Sequence, residues 1–372
     1  MRSQHGHPHA DDIIEFLVHH WSFEARAREN FLKQVKIMPT KTLVLTIALG
    51  TMFASWTIAQ STGSSALSPP GFHHLHLNST NPEAAIDYYT KQFPSTSKAT
   101  WGGKPVLKSG KVYVLFNKVS KPPTIVPQSA IWHFGWHVTD VRERNKMYLE
   151  NHVPLLPLYT GDGDASVWVS SDTWPGTGGT LGRSKAQIAE AKATGVKPVG
   201  GAGFAYLDGP DHAIIEYQGN MPAERFNHVH MYQDEPFCAQ LWYEKHLNAR
   251  GPGRGRGPQH TEADCKVARG PDKSWPALDK DGMYRVPGAG VLFDDVSLNW
   301  YINQGDKPLG STLGQLYDHF ALSVPDLDPW IAKLKSENVK FIKAKPYKLG
   351  DTRAVMIEGP SREAIELVEV KQ

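Results

Sequence analysis

Cysteine is nearly absent from this chain of 372 residues: only Cys238 and Cys265 occur, and neither belongs to a CxxC pair. A thiolate zinc site therefore finds no ligand set. At most one disulfide can form, joining a helix to a long loop if the chain reaches an oxidising compartment. An excess of charge of one sign is missing too. The 40 Lys and Arg residues face 38 Asp and Glu residues, a formal net charge of +2, so nothing electrostatic draws the chain to nucleic acid or to an anionic membrane. Nor is there a long hydrophobic run. The apolar stretch from Thr42 to Trp56 falls short of the ~20 residues that cross a bilayer.

That stretch has another use. Met38 to Lys41 is a short basic start, and Thr57-Ile58-Ala59 resembles a small-residue cleavage site. Residues 38–59 thus read as a secretory signal peptide, and residues 1–37 as an extension from an upstream start, outside the fold. No cysteine follows Ala59, which speaks against a lipoprotein anchor. The expected location is periplasmic or secreted, with no stable membrane anchor after signal cleavage. Anchoring by an uncleaved signal is the alternative.

What is present is a repeat. Phe72-His73-His74-Leu75-His76-Leu77 returns 154 residues later as Phe226-Asn227-His228-Val229-His230-Met231, and Tyr89 and Lys91 return as Tyr243 and Lys245. His133-Phe-Gly-Trp-His-Val-Thr-Asp140 returns after 186 residues as His319-Phe-Ala-Leu-Ser-Val-Pro-Asp326. Asp208-Gly-Pro leading to Glu216 returns after 150 residues as Glu358-Gly-Pro leading to Glu366. Fixed offsets of this kind mark a duplicated architecture. Each of the four segments opens on a strand carrying His and continues into a helix, expected at Pro82–Phe93, Val141–Asn151, Phe237–Leu247 and Leu327–Asn338. Further strands follow, identified by alternation such as Val112, Val114 and Phe116 against Tyr113 and Leu115. The many Gly (33) and Pro (27) residues agree with numerous turns. Residues 160–203 and 250–290 read as long loops, the first of them as a lid or a solvated surface loop. The joint between the halves is expected at Met221–Arg225, giving one domain over 70–220 and a second over 225–372.

Each half presents two His and one Glu: His74, His133 and Glu216 in the first, His228, His319 and Glu366 in the second. Two neutral imidazoles and a carboxylate bind a divalent cation and leave positions open. Glu216 and Glu366 stand among apolar neighbours, where a carboxylate is costly without a partner. His76 and His230 lie two residues beyond the first ligand, and His137 four beyond His133, each on the ligand's face of its strand. These three are the candidate acid–base or orienting groups. His73 competes with His74 for the inward position, since a slip of one residue reverses the faces. His212, on the Gly-Pro turn, reads as exposed.

The strand with His before an amphipathic helix, closed by Gly-Pro and Ile-Glu, resembles the vicinal oxygen chelate superfamily over roughly residues 70–372. That superfamily includes glyoxalase I, extradiol dioxygenases and the fosfomycin and bleomycin resistance proteins. The resemblance implies an α+β fold of four βαβββ modules paired into two half-open-barrel, glyoxalase-like domains. It assigns His74, His133, His228 and His319 as first-strand ligands, and Glu216 and Glu366 as last-strand ligands. The last strands of the odd modules, Val112–Phe116 and Val296–Trp300, carry no acid. That leaves three ligands per site, as in the extradiol dioxygenases and unlike glyoxalase I.

The expected function is a metal-dependent enzyme, with Fe, Mn, Zn or Ni chelating vicinal oxygens of a small-molecule substrate. Extradiol-type ring cleavage and lyase or isomerase chemistry both fit this reading, and a homodimer is an allowed assembly. The rival is an exported small-molecule-binding or resistance protein that uses the same fold without catalysis.

Overall fold

The computed structural model describes residues 67–124, 128–156, 193–194, 204–219, 221–251, 260–267, 287–303, 307–343 and 345–371. The expected extension and signal segment lie outside them, as do nearly all of the loop at 160–203 and most of the loop at 250–290. Among the described residues no helix is long and apolar enough to cross a membrane.

Four strands open the four modules: β1 (Gly71–Ser79), β5 (Ile131–Val138), β8 (Arg225–Gln233) and β11 (Tyr317–Val324). Helices α1 (Pro82–Gln92), α2 (Val141–Glu150), α3 (Pro236–Leu247) and α4 (Leu327–Ser336) follow them, within two residues of the expected bounds at either end. Their starts are chemically specified. The Asn81 side chain caps α1 by accepting from the Ala84 amide, and Pro82 opens the helix. The Asp326 side chain does the same for α4 with the Asp328 amide. Such caps satisfy donors that the first turn leaves unpaired. Lys333 and Lys335 close α4 at the negative end of its dipole.

The remaining strands complete the modules. They are β2 (Thr96–Trp101), β3 (Lys104–Ser109) and β4 (Val112–Lys118), then β6 (Phe204–Asp208) and β7 (Ile214–Gly219). In the second half they are β9 (Gly288–Phe293), β10 (Val296–Ile302), β12 (Tyr347–Leu349), β13 (Thr352–Glu358) and β14 (Ala364–Glu369). In every module the first strand lies parallel to the last: β1 to β4, β5 to β7, β8 to β10 and β11 to β14.

The pairing of modules corrects the expectation of one domain per half. An eight-stranded sheet runs β12-β13-β14-β11-β1-β4-β3-β2, joining the first module to the fourth. A six-stranded sheet runs β6-β7-β5-β8-β10-β9, joining the second to the third. The boundaries 70–220 and 225–372 therefore divide the sequence but not the sheets. The cause lies in the short link between β7 and β8. It carries the chain from β7 across the neighbouring β5 to that strand's far side, where β8 lies antiparallel to β5. The outer modules then pair through β1 and β11, also antiparallel.

The core lies where the four first strands meet. Phe72, Phe134, Phe226 and Phe320 are all buried. Phe72 stacks on Phe226 of the other sheet at 5.9 Å and on Phe320 of its own at 6.2 Å, and Phe134 meets Phe226 at 6.1 Å. The rings correspond under the duplication offsets, so one packing solution serves both halves. Cys238 of α3 is disulfide-bonded to Cys265.

Candidate metal centres

Strict alternation along β1 would place Phe72 on the face of His74. A β-bulge prevents this. The register moves from Phe72↔Leu322 to His74↔Ala321, leaving His73 as the extra residue. The same shift leaves Asp318 extra in β11, Trp132 in β5 and Asn227 in β8. A bulge thus precedes every first-strand candidate ligand. It changes the phase of the strand, so Phe72, Leu75 and Leu77 join the core cluster while His74 and His76 enter a donor cluster. The competition between His73 and His74 resolves the same way: His74 enters the cluster, and His73 is the bulge.

The candidate residues gather into two centres, but not in the groups the halves suggested. His74, His76 and His319 offer ligand atoms within 4.8 Å of one another. Glu366 joins them, its Oε2 3.4 Å from His74 Nε2 and 3.8 Å from His319 Nε2. The other centre unites His133, Glu216, His228 and His230 within the same 4.8 Å limit. There Glu216 Oε2 lies 2.8 Å from His133 Nε2 and 3.7 Å from His228 Nε2. His74 and His228 have therefore exchanged partners relative to the sequence-based triplets, because each centre follows its sheet. His76 and His230, expected as acid–base groups, sit inside the donor clusters, so each centre offers three imidazoles and one carboxylate. His137, expected beside them, is half-buried on the face of His133 and outside the cluster. His212 is exposed and pairs with Asp208 at 3.1 Å.

Burial keeps His74, His76 and His133 neutral, as binding a cation requires. Burial, then the neighbouring imidazoles, push His74 well below its usual range. Burial brings His133 to about 4, against the pull of Glu216, and His76 to about 3. Burial and the charge of His228 lower His137 to about 4. Burial alone would raise Glu216, but His228 and His133 hold its carboxyl well below the usual carboxylate range. Burial would likewise lower His319, but the hydrogen bond to Asp318 and the charge of Glu366 raise it to about 9, so this ring gives up a proton when it takes a cation. Neutral imidazoles beside a carboxylate form the ligand state of a divalent metal. The buried atoms His74 Nε2, His228 Nε2 and Glu366 Oε2 have no hydrogen-bond partner among the described residues. Orphans of this kind are costly, and a cation held by these donors would satisfy them. The residues present fit such a group.

Sequence reasoning missed the outer contacts. A tyrosine stands by each carboxylate: Tyr347 donates its hydroxyl to Glu366 Oε1, and Tyr206 lies opposite Glu216 in the β6–β7 pairing. The bulge residues reach the ligand rings, with His73 Nδ1 2.7 Å from His74 Nδ1, Asn227 Oδ1 3.0 Å from His228 Nδ1 and Asp318 Oδ1 2.6 Å from His319 Nδ1. Their signal was legible as the residue before each repeated His. Aromatic rings wall the second centre: Trp132 is 4.0 Å from His133, Tyr206 is 5.1 Å from it, and Tyr301 is 4.4 Å from His230.

Gly135 marks a close approach. A Cβ there would meet Glu216 O and His228 Cε1, both at 2.5 Å. The duplication places Ala321 at the matching point of the other centre. Gly135→Ala should push His228 and Glu216 apart, lowering metal affinity at this centre by ~10-fold or more and stability by ~1–3 kcal/mol. Metal analysis beside urea unfolding checks this, and unchanged loading would contradict the crowding argument.

No protein-family model matches the chain, and no curated protein matches it. Solved structures do. Glyoxalase I from Zea mays superposes with a TM-score of 0.51 at 15% identity, over 81% of this chain and 92% of that one. Lactoylglutathione lyase from Agrobacterium tumefaciens matches at 12% identity and a TM-score of 0.25, over 40% of this chain and 96% of that one. A fosfomycin resistance protein from Listeria monocytogenes matches at 12% identity and a TM-score of 0.26, over 40% and 93%. At such identities the maize match carries the fold alone: this chain shares the fold of glyoxalase I.

Proposed function

We propose that the chain is a metal-dependent lyase or isomerase that holds two neighbouring oxygens of a small substrate at the centre formed by His133, Glu216, His228 and His230. The number of donors carries this reading. Four protein donors would leave a six-coordinate divalent ion two positions. Two positions accept a pair of vicinal oxygens and leave none for molecular oxygen, which favours proton transfer over ring cleavage. One carboxylate in the donor set leaves a divalent ion a net charge of +1, which suits an anionic, enolate-like ligand. When bound, the cation supplies Lewis-acid polarisation of the two oxygens.

The chain's own residues do the rest. Glu216 keeps its negative charge beside His133 and His228, at 2.8 and 3.7 Å. Trp132, Tyr206 and Tyr301 border the donors with aromatic surface that excludes water. His137 is the candidate proton acceptor, since its Nδ1 is buried without a hydrogen-bond partner among the described residues. Its counterpart in the other centre is Ser323, whose hydroxyl donates to Gly71 O at 3.3 Å. At this strand position, among the described residues, only the centre in the six-stranded sheet carries an imidazole, and the reaction is placed there. A proton would leave the hydroxyl-bearing carbon of the substrate for His137 Nδ1 and return from it to the adjacent carbonyl carbon, while the hydroxyl proton passes to the former carbonyl oxygen.

Exchange of solvent deuterium into hydroxyacetone, followed by NMR on metal-loaded protein, tests the assignment. His137→Gln should slow exchange by ~10²–10⁴-fold while retaining bound metal. Exchange untouched by the substitution would remove His137 from the mechanism. Oxygen uptake with catechols on Fe(II)-loaded protein would overturn the proton-transfer reading. Metal-loaded protein that binds the probe without exchanging it would return the binding-protein reading.

A further inference from the structure

The four bulges offer one structural position to four different side chains: His73, Trp132, Asn227 and Asp318. Only one of them is an acid. Asp318 is buried, and its carboxylate is fixed from two sides. Oδ2 accepts from the Gly314 amide at 2.7 Å and from Asn78 Nδ2 at 3.2 Å. Oδ1 is thereby aimed at His319 Nδ1, 2.6 Å away. The far nitrogen of that ring faces the donors, with Nε2 3.2 Å from His76 Nδ1 and 3.8 Å from Glu366 Oε2. At the matching point of the other centre, Trp132 presents a ring edge to His133, whose Nδ1 is buried with no hydrogen-bond partner among the described residues.

We infer that Asp318 is a positioning residue that makes the centre in the eight-stranded sheet hold its divalent cation more tightly than the centre in the six-stranded sheet. The inference rests on reading the clusters as metal centres. A carboxylate on Nδ1–H fixes the tautomer, keeps the Nε2 lone pair on the donor side and makes the ring a stronger ligand. It also places a second negative charge one imidazole away from the ion, where burial weakens screening. In the other centre Trp132 stands in the place of Asp318, and His133 Nδ1 has no such partner among the described residues. One centre is thus built to retain its cation, and the other to leave its cation positive toward a substrate.

Loading the apoprotein with Zn(II) against a competing chelator tests this. Two binding steps should separate by ~10-fold or more. Glu366→Gln should abolish the tighter step and Glu216→Gln the weaker, which names each. Asp318→Asn should weaken the tighter step ~10–100-fold and leave the weaker step unchanged, with Asp318→Glu restoring part of the loss. A role in folding alone would lower both steps together, and that result overturns the inference. Equal affinities in the unmodified protein overturn it as well, without any variant having to fold. Either outcome leaves the metal reading standing, whereas binding of no Zn(II) at all removes both.

Discussion

Replacing His133 and His228 together should cost one equivalent of bound metal, whereas replacing His133 and His74 together should cost both. The first pair shares Glu216, at 2.8 and 3.7 Å. The second pair belongs to different sheets. Each histidine is one of four donors, and losing it leaves a buried carboxylate without its countercharge, so each single alanine variant should lower affinity at its own centre by at least ~100-fold. Effects within a centre should not add, because the site is already lost after the first substitution. Effects across centres should add, since distant sites without shared partners are independent. Elemental analysis after gel filtration reads the stoichiometry directly. One equivalent lost from His74 with His133, and two from His133 with His228, would reinstate the pairing by halves.

Trp136→Ala should destabilise the apoprotein by ~3–5 kcal/mol, without touching a donor. Trp136 is fully buried on the core side of β5. Its ring stacks on Phe93 with centroids 4.2 Å apart and planes 10° from parallel, and meets Phe226 edge-on at 5.3 Å. Its Nε1 donates to Thr96 Oγ1 at 3.1 Å. Truncation therefore opens a cavity between α1, β5 and β8 and strands a hydroxyl in it. Close-packed neighbours relax only partly into such a space. Urea unfolding with and without metal measures the loss, and a midpoint unchanged in the metal-free protein would contradict this account of the core.

The modules and helices were legible because their signals are local. Alternation, Asn81 before Pro82 and Asp326 before α4 lie within a few residues of what they specify. The six repeated His and Glu residues were legible for the same reason. Which histidine joins which glutamate was not. That choice depends on contacts such as His76↔His319, whose partners stand far apart in the chain and leave no mark in the local pattern. The fourth donor was hidden by the same long-range pairing. Alternation puts His76 on the face of His74 but does not say how near the two rings come. Only the pairing with His319 brings His76 Nδ1 to 3.2 Å from that ring's Nε2. The tyrosines beside Glu216 and Glu366 come from β6 and β12, which do not correspond under the duplication, so no repeat could reveal them.

The crossed pairing bears on how the two centres came to differ. One half of this chain holds a complete inventory, with a His-x-His strand in its odd module and a His and a Glu in its even one. Two copies of such a half, related by a two-fold axis, would build two centres at one isologous interface. Symmetry would force those centres to be identical, and every substitution would strike both. Joining the copies into one polypeptide lifts that constraint. Trp132 against Asp318, His137 against Ser323 and Gly135 against Ala321 are differences that a symmetric pair of chains could not hold.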